Sequence, residues 1–252
     1  MTATKNVSKQ ISRIITAHRQ REGGGFMVRR PVPSGSLDMV DPFLMLDHLG
    51  PTNYGPGEAV GAPDHPHRGQ ETISYVLEGE IEHRDSHGNH GVLTPGWVQW
   101  MSAASGVIHS EMPTQKMLKE GGVMNSFQIW VNLPAKYKMT APRYQDVPPE
   151  KIPVFTSNDE KTTIKVIAGK VEDVTANIDT RTQIYFLDLR TTGQYTLDLP
   201  ADMNAMVYNF HTEPIRVGNE KAELKEGQMA VIKTDGQPIG FEAAGSEEAR
   251  VL

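Results

Sequence analysis

Apolar residues in this chain come in short runs rich in β-branched and aromatic side chains, each closed by Gly, Pro, Asn or Asp. No long window holds the three-to-four-residue spacing of an amphipathic helix, so the elements it predicts are strands. They fall at 25–30, 71–77, 80–84, 98–101 and 123–131, and again at 163–168, 183–189, 195–199, 205–210, 229–232 and 239–243. Between them Pro134, Pro142, Pro148, Pro149 and Pro153 interrupt the pattern, and the stretch from Leu133 to Pro153 reads as a linker. The expected architecture is all-β with two β-barrel units: residues 1–134, then residues 135–252 comprising the linker and a second barrel.

A repeat supports the split. Leu93-Thr94-Pro95-Gly96-Trp97-Val98 lines up with Leu224-Lys225-Glu226-Gly227-Gln228-Met229, and the same offset sets His65 against Thr196, His67 against Asp198 and His109 against Gly240. Whatever the histidines do in the first unit, the second has lost it. The total of 252 residues accommodates two such units.

Composition removes several classes of function. With no cysteine, disulfides, thiolate metal sites, cysteine-ligated iron–sulfur clusters and cysteine nucleophiles are excluded, which leaves histidine and carboxylate as the strong ligands. A net charge of −6 argues against direct nucleic-acid binding. No apolar run approaches the roughly 18 residues of a membrane span, and the first twenty residues lack the apolar core of a secretory signal. A soluble cytoplasmic protein is expected, or a nuclear one in a eukaryote. The N-terminal segment is basic, with Lys5, Lys9, Arg13, Arg19 and Arg21, a composition shared with transit peptides, but Ile11, Ile14 and Ile15 read as the start of an outer strand or short helix. Asn6-Val7-Ser8 is a sequon without an export signal.

The chemistry concentrates in two short segments. In Asp64-His65-Pro66-His67-Arg68-Gly69 a strand presents His65 and His67 on one face, and in Gly106-Val107-Ile108-His109-Ser110-Glu111 a second strand presents His109 and Glu111 likewise. Three imidazoles and a carboxylate suit a first-row divalent ion and leave two positions of a six-coordinate ion open for substrate or dioxygen. Glu71 is a rival carboxylate on the His67 face of a regular strand. The histidines His83, His87 and His90 read as a solvated hairpin, and Asp47-His48 either as groups orienting a ligand or as a capped turn.

These segments, together with Val40-Asp41-Pro42-Phe43-Leu44-Met45-Leu46-Asp47-His48-Leu49-Gly50-Pro51, Val98-Gln99-Trp100-Met101 and Gln128-Ile129-Trp130-Val131-Asn132-Leu133-Pro134, make the chain resemble the pirin family of the cupin superfamily. The resemblance implies a bicupin whose N-terminal barrel holds iron, as Fe(II) or in its place another first-row divalent metal, through residues matching His65, His67, His109 and Glu111. Most cupins take the carboxylate from the first motif, here Glu71, whereas the pirin pattern uses Glu111. Members of the family are known as quercetin 2,3-dioxygenases and as iron-dependent transcriptional co-regulators. The expected activity is ring-opening dioxygenation of a flavonol by dioxygen, with Glu111 as ligand and base and with Phe43, Met45 and Met101 lining the aromatic pocket. The alternative is a non-enzymatic binding protein in which the redox state of iron alters a surface that docks a protein partner.

Overall fold

A computed structural model of the chain describes residues 9–234 and 237–252, so Lys5 and the Asn6-Val7-Ser8 sequon lie outside the described residues. Strand dominates, and the one α-helix among the described residues, α1, is Gln115–Glu120. The chain divides into two units. The first comprises residues 18–152 with 178–184, and the second the described residues up to Ala17 together with 153–177 and 185–252.

The strands of the first unit are β2 (His18–Glu22), β3 (Phe26–Val32), β4 (Phe43–Tyr54), β5 (Ala62–His67), β6 (Gln70–Glu78), β7 (Ile81–Asp85), β8 (His90–Leu93), β9 (Val98–Ser102), β10 (Val107–Pro113), β11 (Gly122–Asn132) and β12 (Arg143–Val147); β1 (Ile11–Thr16) precedes them in the chain. They form a seven-stranded sheet in the order β12-β9-β6-β11-β4-β3-β2 and a four-stranded sheet in the order β5-β10-β7-β8. The interior strand β6, sequence QETISYVLE, is buried on both faces from Glu71 to Val76, so polar Glu71, Thr72 and Ser74 are enclosed along with Ile73, Tyr75 and Val76. Val76 of the large sheet packs on Ile81 and Leu93 of the small one. The second unit repeats the plan, with β1 at the edge of a seven-stranded sheet and a four-stranded sheet in the order Gln194–Leu197, Ile239–Ala243, Ile215–Val217, Ala222–Leu224. The all-β bicupin fold is as expected, but in each unit the sheets stack without hydrogen bonds closing them into a barrel.

The boundary at residue 134 needs correction in two places. Arg143–Val147, inside the supposed linker, pairs along β9 from Arg143↔Ser102 to Val147↔Val98 and belongs to the first unit. At the other end, β1 pairs with Gln228–Ile232 of the second unit, with Ile15 opposite Met229. Both strands cover the exposed backbone of a sheet edge, a role met by long-range pairing that no local sequence pattern announces.

The repeat is also corrected in detail. His65 lies opposite His109, and at the same offset Thr196 lies opposite Gly240. The faces differ, however. His109 is buried at 1% exposure, whereas in the second unit the neighbours Leu197, Ile239 and Phe241 are buried and Thr196 is exposed. A slip of one residue in a strand sends its side chains to the opposite face. The interior of the second unit is accordingly filled by Leu197, Ile215, Val217, Ile239 and Phe241 against Ile164, Val166 and Leu189.

Candidate metal centre

β5 and β10 run antiparallel with His65 directly opposite His109, while His67, two residues on, points to the same interior. Gly69, at φ 73°, then turns the chain into β6 of the other sheet. The three imidazoles converge. Their ring centroids are 4.8 Å apart for His65–His67, 4.4 Å for His65–His109 and 4.9 Å for His67–His109. One nitrogen from each lies within 4.8 Å of the other two, and this is the only group of three or more His, Cys, Asp or Glu so arranged among the described residues.

Each ring is oriented through its Nδ1. His65 Nδ1–H donates to the Pro63 carbonyl at 2.7 Å, which leaves its Nε2 with a free lone pair. His109 Nδ1 meets His83 Nε2 at 3.1 Å, and His67 Nδ1 lies 3.2 Å from Gln70 Nε2, an amide that with its carbonyl oxygen turned to the ring accepts from Nδ1–H and leaves the lone pair on Nε2. Nε2 of His67 and Nε2 of His109 are buried and hydrogen-bonded to nothing. Leaving such atoms unsatisfied costs about 1–3 kcal/mol each, so the arrangement is explained by a ligand that takes their lone pairs. Burial, reinforced by the neighbouring imidazoles, pushes His67 down to about 4 and His109 down to about 3, so both are neutral and able to donate at pH 7. The donor set fits a first-row divalent cation.

Glu111 stands outside that cluster. The pairing of β10 with β5 shifts between His109 and Glu111, and the carboxylate is held instead by Ser74 Oγ, donating to Oε1 at 2.7 Å, and Gln128 Nε2, donating to Oε2 at 2.6 Å. It nevertheless lines the same cavity as His65 and His67, a space of about 740 Å³ whose apolar walls include Phe26, Leu44, Met45, Leu49 and Trp130. That volume is in the range of small-molecule sites.

Residues 25–131 match the family model for pirin. A Pseudomonas aeruginosa protein provisionally named a quercetin 2,3-dioxygenase is 38% identical over 97% of this chain and 85% of its own length. The chain belongs to the pirin family. Pirin from Rattus norvegicus is 33% identical over 93% of this chain and 78% of its own. The crystal structure of a quercetin 2,3-dioxygenase from Acinetobacter baumannii superposes with a TM-score of 0.88 at 30% identity, over 98% of this chain and 85% of that one.

Within this pirin-family fold several expected roles move. Of the three pocket residues, Met45 lines the cavity but Phe43 and Met101 do not. Met101 is buried against Ala103, Val107 and Tyr144, and a register shift between Trp130 and Val131 falls opposite Phe43. Glu71, fully buried, sits three residues from Ser74 on a regular strand and therefore faces away from the cavity. Burial pushes its carboxyl up, opposed by Trp100, Ser102 and the charges of Arg143 and Arg181. Asp47 joins Arg30 and His48 joins Asn125, so neither orients a histidine of the cluster. His87 and His90 are exposed at the β7–β8 hairpin as expected, but His83 is 1% exposed and supports His109. Trp130, edge-on to His67 at 5.2 Å, and the pair Ser74 and Gln128 belong to the site without any ligand motif that marks them in the sequence. The one available signal was that Gln128 and Trp130, two apart, share a strand face.

Proposed function

We propose that this pirin-family chain is a metal-dependent dioxygenase that opens the flavonol ring of quercetin-like substrates. What carries the reading is one cavity that brings His65 and His67, two members of the three-imidazole cluster completed by the buried His109, together with a hydrogen-bonded carboxylate and apolar walls. The names of the relatives support it.

His65, His67 and His109 would hold the ion, with Fe(II) the metal this reading assigns and Glu111 a further ligand if its carboxylate turns toward the histidines. Bound there, the metal supplies Lewis acidity and open positions for the deprotonated flavonol and dioxygen. The protein's own groups prepare the substrate. Glu111 takes the proton of the flavonol 3-hydroxyl. Each of its oxygens has a second lone pair beyond the one engaged by Ser74 or Gln128, so it accepts that proton while those donors keep it in place. Trp130 and the aliphatic walls exclude water and present apolar surface to the rings.

The test is metal analysis of the purified protein followed by dioxygen uptake on adding quercetin. Uptake in step with flavonol loss and proportional to bound metal is expected. A metal-loaded protein that consumes no dioxygen refutes the enzyme and favours a metal-dependent binding protein.

A further inference from the structure

The cavity has a second polar group, distant from the histidines. Along the inner face of the large sheet Ser74 lies opposite Gln128, and Gln128 opposite Asp47. Adjacent strands are about 4.8 Å apart, so Asp47 stands roughly 10 Å across the sheet from Ser74. There Arg30 of β3 grips it, with Nε to Oδ1 at 2.6 Å and Nη2 to Oδ2 at 2.5 Å, and Arg30 Nη1 lies 2.9 Å from Glu22 Oε1. The Arg30 and Asp47 side chains are only 15% and 5% exposed, and all three residues line the same cavity as Glu111.

Packing alone does not account for this trio. A buried ion pair recovers its desolvation cost poorly, and apolar residues of similar volume often serve stability as well or better. Its chemistry points to a ligand. One guanidinium between two carboxylates carries a net charge of −1, which repels anions and attracts neutral hydrogen-bond donors. Each Asp47 oxygen keeps a lone pair beyond its bond to Arg30, and three of the five Arg30 N–H groups are engaged by these contacts. Two adjacent hydroxyls on one ring match the set, one donating to a carboxylate and the other accepting from the guanidinium.

We infer that Arg30, Asp47 and Glu22 recognise the adjacent hydroxyls of a phenolic ring whose other end is presented to Glu111 and the histidines. The inference rests on the flavonol reading and specifies it: catechol-bearing flavonols are the preferred class.

Quercetin and galangin share the fused ring system and differ only in the two adjacent hydroxyls of the pendant ring. Their affinities for the metal-loaded protein are measured without dioxygen by quenching of tryptophan fluorescence, and dioxygen uptake is measured separately. Hydrogen bonds to charged groups imply that wild type binds quercetin about 10- to 100-fold more tightly than galangin. Asp47→Asn and Glu22→Gln should each lower that ratio, with Asp47→Asn bringing it close to one. The wild-type comparison needs no substitution, so the inference is tested whether or not the variants fold. Equal affinities in wild type overturn it, and so does a preference that survives both substitutions. Selective binding without dioxygen uptake leaves the recognition site standing and refutes the dioxygenase. Uptake without selectivity does the reverse.

Discussion

Removing the metal should leave an acid-sensitive protein. In the unfolded chain an imidazole titrates near 6.5, whereas the folded protein lowers His67 to about 4 and His109 to about 3, first through burial. Between those limits the unfolded state binds more protons, so stability is complete above pH 6.5 and is lost as pH falls toward the folded values. Both side chains are nearly inaccessible, at 6% and 1% exposure, and solvent screens them little. At pH 5 the unfolded state gains about 2 kcal/mol from protonating each, or about 4 kcal/mol for the pair. That is a large part of the 5–15 kcal/mol typical of a domain. The assay is urea unfolding with a chelator present at pH 7.5 and pH 5.0, for wild type, His67→Gln, His109→Gln and the double variant. Other titrating groups are common to all four and cancel in the comparison. Wild type should lose about 4 kcal/mol more than the double variant over this interval, with each single variant between them. The same loss in wild type and double variant would refute the reasoning.

His65→Ala should abolish stoichiometric metal binding, because two imidazoles remain; elemental analysis after desalting checks it. Glu111→Gln keeps the shape of the side chain but removes its basicity, so turnover per bound metal should fall by roughly 10² to 10⁴, read as dioxygen uptake normalised to metal content. On β1, Ile15 is 7% exposed and Ile14 is 42% exposed. Ile15→Ala should cost about 2–4 kcal/mol in denaturant unfolding and Ile14→Ala less than about 0.5 kcal/mol, as expected if β1 is packed into the second unit.

What the sequence revealed and what it hid follow from range. Strand positions and the shared face of His65 and His67 are local properties, set by a two-residue period, and they were legible. The membership of β12 and β1 was not, since each is decided by a partner far away in the chain. Arg30 and Asp47 meet across neighbouring strands at a separation of 17 residues, and neither lies in a motif that signals pairing. Glu111, expected as a ligand from its spacing to His109, lines the cavity but stands outside the histidine cluster. Its partners were not foreseeable, because Ser74 and Gln128 approach from the other sheet. The turn residues Asp85, Gly88 and Asn89 beside His83 point to solvent, but its own position two residues inside β7 turns it inward toward His109.

The two units show how small a change separates a site from a core. In the second, the strands equivalent to β5 and β10 turn Leu197 and Phe241 inward and the interior fills with apolar side chains. In the first, the inward positions are imidazoles, and each buried Nε2 without a partner is a cost to the fold that only a ligand relieves. The same burial that makes the metal-free fold acid-sensitive prepares it for the ion. His67 and His109 already lack the proton that a cation must displace, so binding a metal at pH 7 releases none from either. Between pH 7 and about pH 5 these two ligands should add no pH dependence to metal affinity, whereas an exposed histidine pair titrating near 6.5 would lose it steadily over the same range.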